Sequence, residues 1–237
     1  RLVDRVVCVC EASRASHAVR FAGLSAKFVT VLNGIAEPPG APHPRDGVRA
    51  ALGLAPGQAV ALTVGSLTPQ KSQDVLLRAM AAARSRAPGA VLLVAGEGRL
   101  REPLLALHAE LGLGDTGRLL GARIDVPDLM EACDVFVLSS SREGLSVTLL
   151  EAMRAGRATI ATDVGGNAEA VLGGVTGRIV PVGAVGAMAD ALSELLGDPA
   201  RRATFGAAGQ ARWRERFTAR RMVGATKAYQ GEEVPGD

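Results

Sequence analysis

Two glutamates, Glu143 and Glu151, lie eight positions apart on either side of a predicted helix start. The apolar run 135–138 ends just before them, and Ser146 is a good N-cap residue for a helix predicted to run to Ala155. A helix N-terminus offers free backbone N–H groups and a partial positive charge, which suit a phosphate. We therefore expect the residues at this helix start to bind a phosphorylated ligand.

The two carboxylates suit the hydroxyl groups of such a ligand. Glu151 lies five residues past the cap, on the order of 7 Å along the helix axis, and helical side chains lean toward the N-terminus. Its carboxylate can therefore accept hydrogen bonds from two vicinal ribose hydroxyls, while Glu143 would reach hydroxyls on the other side of the phosphate. Alternatively, Glu143 caps the helix and Glu151 is a solvated charge, although Leu150, Ala152 and Met153 give Glu151 an apolar setting.

A lysine follows a second buried run in the same way. The strand predicted over 59–64 is followed by Gly65, and Lys71 stands at the expected start of the next helix. Only three of the 27 basic residues are lysines, so a compact ammonium here indicates a point charge for a phosphate. A solvated lysine at a helix entrance is the alternative. In open parallel sheets ligands bind beyond the carboxyl ends of the strands, where both loops are expected.

Short apolar runs alternate with helical patterns along the whole chain. This order predicts an α/β fold, a Rossmann-like doubly wound parallel sheet with right-handed crossovers. The predicted strands are 5–9, 28–32, 59–64, 90–95, 117–120, 135–138, 158–161 and 177–180. Two further helical patterns cover 201–216 and 219–230.

Four prolines in the eight residues from Glu37 to Pro44 predict a stiff linker, because proline fits neither a helix interior nor a central strand. The linker separates residues 1–32 from the block of strand–helix units. Residues 1–32 are too few to form a domain alone. Since the sequence also has no initiator Met, we expect a fragment of a longer protein.

Composition argues against several classes of protein. The apolar runs are far shorter than the roughly 20 residues that span a bilayer, and no signal peptide opens the sequence. The charges are interspersed at a net +3 and only 3% of residues are aromatic, which disfavours nucleic-acid binding. Cys8 and Cys10 are interpreted as core residues on one face of a strand, and with His17 they form neither a metal site nor a disulfide framework. A reducing, cytoplasmic location follows.

The motifs occur in a characteristic order. They are Asn33-Gly-Ile, Gly65-Ser-Leu-Thr-Pro-Gln-Lys71, Ala95-Gly-Glu-Gly98, Leu120-Gly-Ala-Arg123, Glu143-Gly-Leu, Glu151-Ala-Met and Gly165-Gly-Asn-Ala-Glu169. In order and spacing, over essentially its whole length, the chain resembles the family-four retaining glycosyltransferases. The resemblance implies the two-domain GT-B fold. Residues 1–32 would be the β-α-β end of the acceptor domain, 33–48 the linker, 49–207 the donor-binding domain, and 208–230 a helix that crosses back to the acceptor domain.

The resemblance also implies roles for individual residues. Lys71 would neutralise the donor diphosphate, Glu151 would hold the ribose hydroxyls, and Glu143 would hold a hydroxyl of the transferred sugar. Arg123 falls where the family lines its nucleobase pocket, and Glu143 and Lys71 are the candidate catalytic residues. The predicted donor-binding residues are Ser66, Lys71, Arg123, Glu143, Gly144, Leu145, Ser146, Val147 and Glu151, with the backbone N–H groups of 144–147 on sugar and phosphate oxygens.

Ser66 departs from the family pattern, which usually has arginine there as a second diphosphate cation, and Ser72 stands where glycine is usual. A charge-assisted hydrogen bond contributes roughly 1.5–3 kcal/mol, so donor binding is expected to be weaker unless Arg99 or Arg123 compensates. If nothing compensates, Ser66→Arg is expected to tighten nucleotide-sugar binding.

The resemblance implies transfer of a sugar from a nucleotide-diphosphate sugar to an acceptor, with retention of configuration. No cofactor is expected, and no metal, because no Asp-x-Asp motif occurs. A sugar, lipid or small-molecule acceptor would bind the N-terminal domain, so we expect this fragment alone to be inactive; peripheral membrane association of the full enzyme is compatible with this reading. A non-catalytic nucleotide-sugar binding module and a sugar-nucleotide epimerase of similar fold remain alternatives, and the nucleobase and sugar stay open.

Overall fold

The computed structural model describes residues 3–38, 40 and 42–230. Residues 1, 2, 39 and 41, which the predicted domains and linker include, lie outside the described residues. Eight strands form within the described part: β1 (Val6–Cys8), β2 (Phe28–Thr30), β3 (Val60–Val64), β4 (Val91–Ala95), β5 (Gly117–Gly121), β6 (Val135–Leu138), β7 (Ala158–Thr162) and β8 (Gly177–Val180). All eight predicted strands are confirmed, each within two residues of its predicted ends.

Six of these strands form one parallel sheet in the order β5-β4-β3-β6-β7-β8. The chain builds outward from β3 to β5, returns to the centre at β6, and then builds outward to β8. The order therefore reverses between β3 and β6, which pair directly through Ala61 and Val135. The predicted doubly wound α/β sheet is confirmed, and β3 and β6 flank the switch point where such sheets bind ligands.

Helices cover both faces of the sheet. They are α1 (Glu11–Arg20), α2 (Arg45–Ala51), α3 (Gln73–Ala83), α4 (Arg101–Glu110), α5 (Val126–Ala132), α6 (Val147–Arg154), α7 (Asn167–Ala170), α8 (Val185–Gly197), α9 (Pro199–Arg216) and α10 (Ala219–Gln230). The central strands are apolar on both faces because each face is buried, as a parallel sheet requires.

Two hydrophobic layers follow from this arrangement. On one face, α3, α4 and α8 bury Met80, Leu104 and Leu192 against the sheet. On the other face, α5, α6 and α9 contribute Leu129, Leu149 and Trp213. Both layers hold the strand ends in register at the edge from which the ligand loops project.

The first described residues form a smaller unit, β1-α1-β2 (residues 3–33, the N-terminal unit). Its two strands pair in parallel, from Val6 with Phe28 to Cys8 with Thr30. The carboxylate of Glu169 accepts hydrogen bonds from the first backbone N–H groups of α1, at 2.9 Å from Glu11 and 2.8 Å from Ala12. The N-terminal unit is thus packed on the six-stranded domain through a helix N-terminus.

One sequence-based detail is corrected. Cys10 is not a strand residue that shares a face with Cys8; it is the N-cap of α1, and its Sγ accepts the backbone N–H of Ser13 at 3.4 Å. The domain bounds at 48/49 and 207/208 stay predictions; α2 (Arg45–Ala51) and α9 (Pro199–Arg216) extend across these positions.

Candidate functional site

Two loops meet at the switch point of the sheet. The lysine loop (residues 65–72) follows β3, and the glutamate loop (residues 139–146) follows β6. Since β3 and β6 are parallel neighbours, their carboxyl ends lie at the same edge. The topology therefore brings the loop that carries Lys71 next to the loop that carries Glu143.

Lys71 and Glu143 form an ion pair. Lys71 Nζ lies 2.5 Å from Glu143 Oε1, and the Glu143 side chain is 8% exposed against 21% for Lys71. Ser140 Oγ donates to the same carboxylate oxygen over 2.6 Å. The carboxylate and the ammonium are thus fixed in one small, largely buried site, where their charges act more strongly than in water.

Serine and glutamine side chains join the two loops. Ser139 Oγ donates to the carbonyl oxygen of Lys71 at 2.8 Å, and Gln70 Nε2 donates to that of Arg142 at 2.9 Å. Sequence reasoning missed these residues, although a run of serines directly after a buried strand was a visible signal for a polar, ligand-side edge. Their contacts position both charged side chains through the backbone.

The helix after Lys71 begins two residues later than predicted. Pro69–Lys71 form a short 3₁₀ turn, and α3 starts at Gln73. Between them Ser72 has φ 49° and ψ 44°, a left-handed conformation that favours glycine. Ser66 is exposed, and its carbonyl oxygen accepts Gln73 Nε2 at 2.9 Å, so the loop is closed onto the start of α3.

Helix α6 presents free N–H groups at its start. Ser146 is the N-cap residue, as predicted, but its hydroxyl contacts the Thr148 hydroxyl at 3.1 Å and does not cap the helix. Among the described residues, no acceptor is bonded to the backbone N–H groups of Leu145, Ser146 or Val147. Three donors and the positive end of α6 therefore remain available to an anion beside the Lys71–Glu143 pair.

Glycines allow close packing behind the glutamate loop. A Cβ at Gly144 would lie 2.8 Å from Val9 Cγ2, so this glycine admits the N-terminal unit. Gly165 has φ 56°, and a Cβ there would lie 2.1 Å from the carbonyl oxygen of Glu143. The backbone N–H of Gly166 donates to the carbonyl oxygen of Gly144 over 2.6 Å. These glycines hold the loop through backbone contacts.

Glu151 lies on the second turn of α6 and lines a cavity of about 340 Å³ together with Glu37, Pro38 and Pro127. Burial raises the pKa of its carboxyl group, an effect that the nearby Arg154 charge opposes. The cavity lining does not include Lys71 or Glu143. The structure therefore joins Lys71 to Glu143 directly and puts Glu151 in an adjoining groove under the Pro-rich segment.

Arg123 lies in the loop after β5 and forms a two-point ion pair. Its Nε is 2.8 Å from Asp125 Oδ1 and its Nη2 is 2.5 Å from Oδ2, and this pairing lowers the pKa of Asp125. The pair lines a cavity of about 370 Å³ with Val48 and Leu52. Because the guanidinium is already bound to Asp125, Arg123 is a poor substitute for a cation at Ser66.

Residues 44–212, more than half of the chain, match the family described as glycosyl transferases group 1. The chain belongs to the group 1 glycosyl transferases. Among similar curated proteins, a D-inositol 3-phosphate glycosyltransferase of Nocardia farcinica is 37% identical over 68% of this chain and 39% of that protein. The lipopolysaccharide core biosynthesis mannosyltransferase LpsB of Rhizobium meliloti is 35% identical over 74% of this chain and 52% of that protein. This group 1 chain thus spans about two fifths to one half of these relatives.

Solved structures share its fold. Anabaena HepE in complex with UDP-glucose has a TM-score of 0.87 at 24% identity, over 98% of this chain and 64% of that one. The sucrose-phosphate synthase of Thermosynechococcus elongatus has a TM-score of 0.84 at 26% identity, over 96% and 58%. The fold of this group 1 glycosyl transferase is therefore the Rossmann-like half of a GT-B enzyme.

The described residues hold neither a candidate metal site nor a candidate membrane span. No group of three or more His, Cys, Asp or Glu side chains there could hold a metal ion. None of the helices in that part of the chain is long and apolar enough to cross a membrane.

Proposed function

We propose that this chain binds a nucleotide-diphosphate sugar and presents it for transfer with retention of anomeric configuration, as the donor-binding half of a glycosyltransferase. A similar protein of Corynebacterium glutamicum, 33% identical over 73% of this chain, is named a GDP-mannose-dependent mannosyltransferase. HepE, which shares the fold, was crystallised with UDP and with UDP-glucose. These names support a nucleotide sugar as the donor and make GDP and UDP sugars the first to test.

The observation that carries the proposal is the Lys71–Glu143 pair beside the free N–H groups of α6. An ammonium and three backbone donors match a diphosphate, and a carboxylate next to them matches the hydroxyls of an attached sugar. Glu151, half-buried four residues further along α6, is assigned to the ribose hydroxyls. The two loops and α6 thus offer complementary groups for three parts of the same donor.

In the proposed reaction the bond between the anomeric carbon and the diphosphate oxygen breaks, and the acceptor oxygen bonds that carbon on the same face. The acceptor proton passes to the departing phosphate oxygen, so no separate base is needed. Negative charge grows on the diphosphate as the bond breaks. Lys71 and the N–H groups of Leu145–Val147 are fixed in advance to stabilise that charge, which is the larger part of their catalytic contribution. Glu143 contributes by orienting the sugar.

The rest of the reaction is assigned to residues beyond this chain. The chain spans only part of the length of its curated relatives. The acceptor, a sugar, lipid or small molecule, would be held by a region that corresponds to the rest of those relatives. The proposed mechanism uses no cofactor and no divalent metal, and it acts on a donor made in the cytoplasm, with peripheral membrane contact where the acceptor is a lipid.

Calorimetry with UDP-glucose, GDP-mannose and ADP-glucose tests donor binding. We expect one of these donors to bind, Glu151→Ala to weaken its binding most, and Lys71→Ala to weaken it by about ten- to a hundredfold, because each removes a charge-assisted hydrogen bond. Lys227→Ala is the matched control, since Lys227 lies on α10 and outside both ligand loops. Wild-type affinity in both site variants would refute the proposal, and a product assay with donor alone separates binding from epimerisation.

A further inference from the structure

Asn33 lies outside both ligand loops, yet its side chain contacts one of them. It follows β2 in the N-terminal unit, and its Nδ2 donates to the carbonyl oxygen of Leu145 over 2.9 Å. This hydrogen bond joins residues 112 positions apart. The N-terminal unit therefore reaches the backbone of the glutamate loop at the residue before the N-cap of α6.

The contact fixes the direction of a backbone donor. A peptide unit is planar, and its C=O and N–H point in opposite directions. When Asn33 holds the carbonyl of Leu145, the N–H of Ser146 in the same peptide plane must point away from Asn33. That N–H has no acceptor among the described residues. It is one of the donors that the proposed function assigns to the diphosphate sugar.

The preceding peptide plane is held in the same way. The carbonyl oxygen of Gly144 accepts the backbone N–H of Gly166 at 2.6 Å and faces Cys10 Sγ at 3.5 Å. The N–H of Leu145 therefore also points away from the N-terminal unit and is free in the described structure. Two consecutive carbonyls face the N-terminal unit and the loop at Gly166, so two consecutive N–H groups face the opposite side.

Among the residues that the structure describes, no other side chain is bonded to the Leu145 carbonyl. The Ser146 hydroxyl, which would normally bond a helix N–H, is directed to the Thr148 hydroxyl. Ser139 and Ser140 act on Lys71 and Glu143 and do not touch the Leu145 carbonyl. The N-terminal unit is itself anchored by Glu169 on the start of α1.

We infer that Asn33 is a positioning residue for the donor: by holding the Leu145 carbonyl, it aims the Ser146 N–H at the diphosphate. The inference rests on the proposed function and adds to it a residue of the N-terminal unit. Asn33 itself touches no substrate; it acts through the peptide plane.

Binding of UDP and GDP to the full chain and to Asn33→Leu provides the test. Leucine matches asparagine in shape, is neutral and cannot donate, so charge repulsion of the nucleotide is avoided. Loss of one neutral hydrogen bond is expected to raise the Kd about fivefold. Asn33→Gln, which keeps the amide, is expected to recover part of that loss. Gln58→Leu is the matched control, because Gln58 Nε2 donates to the Gly89 carbonyl at 2.8 Å elsewhere in the domain and its loss is expected to leave the Kd unchanged.

Hydrogen exchange gives a readout that general destabilisation would not move. In Asn33→Leu the Gly166 N–H, bonded to the Gly144 carbonyl, is expected to exchange faster, while amides of β6 keep their wild-type protection. If Asn33→Leu does not fold, Asn33→Ser, which is too short to reach Leu145, replaces it in both measurements.

The outcomes separate the two claims. Equal nucleotide affinity in the wild type and in the folded Asn33 variants overturns the positioning role and leaves the proposed function standing. A wild type that binds no nucleotide diphosphate overturns the proposed function and the positioning role with it. If Asn33→Leu and Gln58→Leu weaken nucleotide binding equally, the inference is also overturned, because the effect is then not specific to the glutamate loop.

Discussion

Lys71 has a counter-ion within the protein before any donor is considered. Glu143 Oε1 lies 2.5 Å from its ammonium, inside a site where both side chains are largely buried. A diphosphate must therefore share the ammonium with Glu143, and it must also approach a carboxylate of its own sign. The same carboxylate that would orient the sugar thus opposes binding of the nucleotide diphosphate alone.

Glu143→Gln is predicted to separate these two effects. We expect the variant to bind a free nucleoside diphosphate about three- to tenfold more tightly, because one repulsion of roughly 1 kcal/mol is removed. Its preference for the nucleotide sugar over the diphosphate should fall, since the amide orients the sugar less well. Calorimetry with both ligands measures this; Glu194→Gln, which alters an ion pair with Arg178, is the control. Unchanged diphosphate affinity would show that the two groups do not compete.

The ionised Glu151 side chain is predicted to lower the stability of the folded protein, although it is assigned to ligand binding. Burial raises the pKa of its carboxyl group, so the folded chain binds a proton at this site more tightly than the unfolded chain. The charged form is therefore destabilising at neutral pH, and this destabilisation fades as the pH falls through the raised pKa. Glu151→Gln should raise Tm slightly at neutral pH and not at acidic pH, while donor binding weakens.

Thermal unfolding across a pH series checks the sign of this effect. Glu102→Gln, on an exposed side chain of α4, is the control and should shift Tm at neither pH. A Tm advantage of Glu151→Gln that grows toward acidic pH would contradict the prediction.

Among the elements, the loops after β3 and β4 depend on backbone contact that only glycine permits. Gly96 has φ 152°, and a Cβ there would lie 1.9 Å from the carbonyl oxygen of Gly65. Gly98, with φ 156°, would similarly meet Leu67 at 2.5 Å. The glycines of the Gly96-Glu-Gly98 motif thus allow the two loops to approach each other closely.

Gly96→Ala is predicted to destabilise the chain by about 2–4 kcal/mol, because it adds a backbone clash to an unfavourable φ. Gly89→Ala is the matched control: Gly89 has φ 78° but nothing within 4 Å of a Cβ, so only about 1 kcal/mol of conformational strain is expected. Urea denaturation measures both variants. If the two variants lose the same unfolding free energy, the clash with Gly65 is relieved by a shift of the loops.

The strands and helices could be predicted because their signals are local. The apolar run 135–138 gives the strand bounds without error, since this strand is buried on both faces and has no polar residue inside it. The convergence of Lys71 and Glu143 also followed from sequence, because parallel strands bring their carboxyl ends to one edge.

The remaining features depend on contacts between distant residues. The sequence predicts Cys10 as a strand residue because it alternates with Cys8, two positions away. In the structure Cys10 is instead the N-cap of α1, a helix whose start packs against the distant Glu169. From the sequence, the Ser146 hydroxyl could bond either a backbone N–H of α6 or the Thr148 hydroxyl, and spacing alone does not decide between them. The groove around Glu151 requires the Pro-rich segment to pass over α5 and α6, and sequence does not show where a linker packs.

At the scale of the whole molecule, the N-terminal unit is attached through few polar contacts. Glu169 accepts two N–H groups of α1, Asn33 donates to the Leu145 carbonyl, and Ile35, two residues past the unit, forms a bridge with Thr218 at the start of α10. The backbone N–H of Ile35 donates to the Phe217 carbonyl at 2.9 Å. Removing one of these contacts should therefore loosen the unit without unfolding the six-stranded domain.

Glu169→Ala is predicted to have this effect. Loss of two charge-assisted hydrogen bonds should lower the local opening free energy of α1 by about 1.5–3 kcal/mol, so that the amides of Glu11 and Ala12 exchange at least tenfold faster. Amides of β6 should keep their protection. Asp190→Ala, which removes an exposed ion pair with Arg86, is the control and should alter neither region. Simultaneous loss of protection in β6 would show that the two parts unfold as one.

Hydrogen bonds hold α6 at both ends, and the chain segments that make them are themselves bonded to each other. Its start is held by Asn33 at the Leu145 carbonyl, and its last turn by Gln210 of α9 at the Arg154 carbonyl over 2.8 Å. From α9 the chain continues to Phe217, which bonds Ile35, two residues from Asn33. Because these hydrogen bonds connect both ends of α6 with Asn33 and α9, we expect a displacement of α9 to shift the backbone donors at the start of α6.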